Sequence, residues 1–112
     1  MDRHTHSELV KRLEAEAEAL EAAERDTEGD RRPVELDQQS VGRLSRMDAL
    51  QMQAMASAQS RRRADALRRI RAALARARDG ELGYCQRCGE EIAAARLDLD
   101  PATAFCVDCA RG

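Results

Sequence analysis

The chain has 112 residues and a formal net charge of −2, and 36% of its residues are charged. Much of its hydrophobic share of 43% is Ala, with Tyr84 and Phe105 as the aromatic residues. That inventory excludes a large globular core and a uniformly basic, nucleic-acid-coating surface, and it favours long helices packed in a narrow seam.

A first helix is expected from about residue 7 to 26. Ser7 offers an N-cap, and Leu9, Leu13, Ala17 and Leu20 recur at spacings of four, four and three. Gly29 and Pro33 then break the pattern, so a loop over 27–37 follows, with a short extended piece at Val34–Leu36. A second helix is expected over about 38–79, with Asp37 as its N-cap, spanning roughly 60 Å at ~1.5 Å per residue. Val41, Leu44, Met47 and Leu50 open an apolar stripe, and Leu67, Ile70, Leu74 and Ala77 close one. Met47, Met52 and Met55 either fill the hairpin core or form an adaptable contact surface.

Charge separates the two helices. Between Glu8 and Asp30 stand nine acids against three bases; between Arg43 and Asp79 stand ten arginines against three acids. An acidic helix followed by a basic one favours antiparallel pairing within the chain. Each exposed ion pair is worth only about 0.2–1 kcal/mol, so the pattern specifies partner and orientation more than stability. Arg61, Arg62 and Arg63 form either a solvated face or a contact for an acidic partner.

All four cysteines fall within the last 28 residues, as Cys85/Cys88 and Cys106/Cys109, with 17 residues between the pairs. Two Cys-x-x-Cys turns at that separation can each aim two thiolates at one ion and complete a tetrahedron. Two disulfides or a redox pair are the competing readings, but a redox Cys-x-x-Cys belongs with a βαβ pattern that this chain lacks. Four sulfurs leave no open coordination position, so one zinc held here is structural rather than catalytic. The segment has too few large apolar residues for its own core, and zinc can supply about 10–16 kcal/mol.

These residues resemble the C4 zinc finger of the DksA/TraR family of bacterial transcription regulators. The likeness lies in Gly83-Tyr84-Cys85, in Cys88-Gly89-Glu90-Glu91-Ile92, in Arg96-Leu97 ahead of Pro101, and in Cys106-Val107-Asp108-Cys109. It implies an antiparallel two-helix coiled-coil hairpin (1–79) followed by a small four-cysteine zinc finger (80–112), mainly α-helical. It also implies that the protein binds RNA polymerase through the secondary channel, with acidic residues at the hairpin tip, sometimes together with ppGpp. Family members carry two aspartates three residues apart at the tip. Here the corresponding region, Gly42–Ala49, holds Asp48 alone, with Ser45 three residues earlier and Asp37 nearby. Asp48 and Asp37 are the candidate tip residues, against the simpler roles of surface carboxylate and helix cap.

A transcription regulator that binds polymerase is therefore the leading reading. The alternative is a zinc-capped helical adaptor that contacts other proteins or self-associates through its apolar face. The finger is too acidic for phosphate contacts, so no sequence-specific DNA binding is expected. Neither a nucleophile–base pair nor a phosphate-cradling glycine loop suggests an enzyme. Without an N-terminal apolar run or ~20 consecutive apolar residues, a cytoplasmic, membrane-free protein is expected.

Overall fold

The computed structural model describes residues 2–28 and 43–112. Its helices are α1 (Arg3–Asp26), α2 (Arg43–Arg78), α3 (Ala94–Leu99) and α4 (Val107–Ala110). The architecture is mainly helical: two long antiparallel helices, followed by a small cysteine-bearing unit. None of the described helices is long and apolar enough to cross a membrane.

The first helix begins a turn earlier than its periodicity predicts. Asp2, rather than Ser7, is the N-cap, and its carboxylate accepts the Thr5 backbone N–H at 2.7 Å. Asp and Ser are comparable caps, and nothing between Arg3 and His6 opposes helix, so Ser7 ends up inside the helix. At the other end the Thr27 hydroxyl and N–H both donate to the Ala23 carbonyl, at 2.7 and 3.1 Å. These bonds satisfy a carbonyl that the last turn leaves open.

The far end of α2 closes by a backbone device. Gly80 adopts φ +75°, Glu81 N–H donates to the Arg76 carbonyl at 2.8 Å, and Gly80 N–H donates to Ala77 at 3.2 Å. This is a Schellman motif, which needs a left-handed residue that glycine supplies without a Cβ penalty. The expected loop beyond Glu28, its extended piece, the Asp37 cap and the start near residue 38 lie outside the described residues.

Cross-helix bonds set the register. Glu24 accepts from Arg63 Nε at 2.6 Å and from the Ser60 hydroxyl at 2.9 Å. Arg63 also reaches the Thr27 hydroxyl at 2.9 Å, and Arg71 reaches Glu21 at 3.0 Å. Partner numbers fall on α2 as they rise on α1, so the acidic and basic helices pair antiparallel. Arg63 and Glu24 are only 17% and 24% exposed, which makes theirs the most shielded of these ion pairs.

The core sits where the hairpin meets the finger. Leu9 and Leu13 of α1, Ile70 and Ala73 of α2, and Leu82, Cys85, Ile92, Leu97 and Ala102 from the C-terminal segment form one buried cluster. Leu13 and Leu82 are its largest fully buried side chains. The finger's apolar residues, too few for a core of their own, join that of the helices.

The opposite end of α2 carries exposed apolar side chains. Since α1 stops at Asp26 beside Ser60 and Arg63, residues 43–59 continue past it for roughly 25 Å. Met47, Leu50, Met52 and Met55 are 60%, 49%, 70% and 56% exposed there. Of the two roles open to the methionines, filling the hairpin core is the one that the structure overturns. Their part of α2 lies beyond the reach of α1.

Candidate metal centre

The first cysteine pair sits on a tight knuckle. Gly83, at φ +93°, turns the chain after α2; an isolated antiparallel bridge then joins Tyr84 to Glu91. Cys85 N–H donates to the Glu90 carbonyl at 2.8 Å, and Gly89 N–H returns to the Cys85 carbonyl at 2.9 Å. Gly89 has φ +78°, the left-handed conformation that closes the turn after Cys88.

The second pair straddles the start of α4. Cys106 is its N-cap, and the sulfur accepts the Cys109 backbone N–H at 3.4 Å. Gln86 N–H donates to the Ala104 carbonyl at 2.8 Å and ties the two knuckles together.

The four sulfurs all lie within 4.8 Å of one another, and all four cysteines are free thiols. Cys88 Sγ and Cys106 Sγ stand 3.8 Å apart. A tetrahedral zinc with ~2.3 Å bonds to sulfur needs sulfur–sulfur edges of about 3.8 Å, so this donor set fits a single zinc ion. The sulfurs also divide in acidity. The Cys88 backbone N–H lowers the Cys85 thiol to about 6, whereas the neighbouring Cys106 sulfur pushes Cys109 up to about 12. Four thiolates do not coexist at this spacing without a cation.

A belt of arginines holds the segment between the pairs against the helices. Arg12 of α1 donates to the Asp98 carbonyl at 3.0 Å, and Arg69 of α2 pairs with Asp100 at 2.6 Å. Arg76 donates to the Ala102 and Thr103 carbonyls at 3.2 and 3.4 Å, and burial lowers its pKa. Within the finger, Arg96 Nε donates to the Phe105 carbonyl at 2.9 Å. Arg87 donates to the Cys109 carbonyl at 3.1 Å and lies over the Phe105 ring. The sequence pattern missed this role for Arg12, Arg69 and Arg76, which it counted only as helix charge. The available signal was the seven-residue spacing of Arg69 and Arg76, which places both on one side of α2.

Cys85, Cys88, Cys106 and Cys109 thus come together as the spacing predicts. Asp48 is exposed on α2, about 45 Å along the helix from its finger end. Asp37 lies outside the described residues.

The comparisons agree with this geometry. The family model "Prokaryotic dksA/traR C4-type zinc finger" matches residues 80–112. Among named relatives, the "RNA polymerase-binding transcription factor DksA" of Escherichia coli K12 is 37% identical over 43 residues, which are 38% of this chain and 28% of that protein. The protein of the same name from Haemophilus influenzae is 40% identical over 43 residues, 38% of this chain and 30% of its own. An uncharacterized protein of Aquifex aeolicus is 48% identical over 44 residues, 39% of this chain and 30% of its own. These alignments span under a third of each relative. The solved structure of transcription factor DksA2 from Pseudomonas aeruginosa superposes with a TM-score of 0.80 at 23% identity, covering 99% of this chain and 84% of that one. Residues 80–112 of this chain are thus similar to the DksA/TraR C4-type zinc finger, and the chain shares the fold of that DksA2 structure.

Proposed function

We propose that this chain is a non-enzymatic transcription regulator that binds RNA polymerase, presenting the exposed face of the N-terminal half of α2 to the secondary channel with Asp48 near its leading end. The observation that carries this reading is the placement of a four-cysteine finger at one end and a solvent-exposed helix with an acidic residue at the other. In this reading Cys85, Cys88, Cys106 and Cys109 are the zinc ligands, and the metal's contribution is to cross-link the base. The arginine belt transmits that rigidity to the arm. Residues 1–79 act as the arm and 80–112 as its anchor. A response to ppGpp would belong to the same complex.

Capture of core RNA polymerase by the tagged chain tests the reading, with competition by a factor that occupies the secondary channel. Binding that the competitor displaces supports it, and failure to bind removes it. Asp48→Asn should blunt the effect on transcription with polymerase affinity largely retained.

A further inference from the structure

One line of α2 has two very different ends. Asp48, Gln51, Met55, Ala58, Arg62, Asp65, Arg69, Ala72 and Arg76 follow one another at alternating steps of three and four, so they share a side of the helix. At its C-terminal end this line is covered, because Arg69 and Arg76 are bonded to the finger's Asp100, Ala102 and Thr103. At its N-terminal end nothing among the described residues covers it: Asp48, Gln51, Met55 and Arg62 are exposed. Asp48 and Arg62 also have no ion-pair partner among the described residues.

The exposed face at this end is self-complementary. Met55 lies midway between Asp48 and Arg62, seven residues from each, and Ala54 and Ala58 beside it are small enough to let a second helix approach closely. We propose that this face seats a second copy of the chain, antiparallel, about a two-fold axis at Met55. Each copy's Asp48 then stands level with the other's Arg62, and the two Met55 side chains meet. The aliphatic stems of Arg62 cover apolar surface around Met55 while their heads reach the acid. An isologous contact requires acid and base to sit at equal distances on opposite sides of the axis, which this stretch satisfies. The seam is short of the ~800 Å² per partner of a standard interface, so the dimer is weak, with a Kd of roughly tens to hundreds of micromolar. On the reading proposed above, pairing covers Asp48, so self-association competes with its use at the polymerase.

Sedimentation velocity on the zinc-loaded full chain across micromolar to millimolar concentration tests the idea. Wild type should shift from monomer to dimer. Asp48→Arg and Arg62→Asp should each weaken the dimer by about tenfold or more. An equimolar mixture of these two variants should regain it, because each copy then supplies what the other's charge needs in the antiparallel arrangement. Both positions are exposed, and circular dichroism of each variant verifies that the fold is kept. A wild type that stays monomeric at millimolar concentration overturns the proposal, as does a dimer indifferent to the single reversals or a mixture no tighter than its components. Polymerase capture run on the same samples separates the two ideas: a monomer that still binds polymerase sinks only the dimer.

Discussion

The two ends of α2 are built from the same kinds of residue and have opposite fates. From Leu67 to Ala77 the helix is packed on α1 and the finger, with Ile70 and Ala73 buried in the common core and its arginines bonded to finger carbonyls and carboxylates. From Met47 to Met55 comparable apolar side chains stand in solvent. Hydrophobicity alone therefore did not decide burial. Reach did: the buried end has α1 and a sulfur-ligated finger against it, and the exposed end has outrun α1. The lesson is a division between the two ends, with burial concentrated at the base and apolar side chains left exposed along the arm.

Removing the metal ligands is the most forceful way to break this contrast. Cys106→Ser, or a strong chelator, should abolish protection of residues 80–112 from trypsin, while a large part of the helical circular dichroism survives. The helical base should loosen too, since Leu82, Ile92 and Leu97 belong to the same core as Leu13 and Ile70. A finger that keeps its tryptic resistance after metal loss would contradict the structural role.

Truncation of a core side chain comes next. Leu13→Ala should cost about 2–5 kcal/mol in denaturant unfolding of the zinc-loaded protein, because it leaves a cavity in packed surroundings. Met52→Ala, a comparable loss of side chain at the exposed end, should stay within about 0.5 kcal/mol. Equal costs at the two positions would erase the distinction between base and arm.

A smaller effect should follow from the belt. Arg76→Met leaves the Ala102 and Thr103 carbonyls without that donor and should cost about 1–2 kcal/mol, with faster amide exchange across residues 98–104. The aliphatic stem is largely kept, so the loss reports the hydrogen bonds rather than the packing. Unchanged exchange in that stretch would mean that the finger needs no such strap.

The slightest change concerns the start of α1. The Thr5 backbone N–H holds the Asp2 carboxyl below its ordinary value of 3.8. Its stabilisation is present above the ordinary carboxylate range and is lost as pH falls through the lowered folded value. Asp2→Ala should fray the first turn of α1 at neutral pH and remove that acid-dependent fraying, as read by helical circular dichroism. The metal centre should be unaffected.

Much of this was legible because it is local. The Cys-x-x-Cys spacings announce the metal centre, since a two-residue gap fixes how two sulfurs can share an ion. The contrast between acids on the first helix and arginines on the second announces antiparallel pairing, seen in Glu24–Arg63 and Glu21–Arg71. Even so, capping was misplaced by a turn, because Asp2 and Ser7 are nearly equivalent caps and only the assembled helix chooses between them.

By itself, the sequence determined one closed sulfur site, two helices of opposite charge and their unequal lengths, because chain-neighbour geometry and charge sign carry that information. The tertiary structure alone decided that finger and hairpin share one core, that Arg12, Arg69 and Arg76 strap the spacer down, and that Met47, Met52 and Met55 face water. Those outcomes depend on which surfaces lie within a few ångströms after folding, and residues 86 positions apart, such as Arg12 and Asp98, leave no local trace of their meeting.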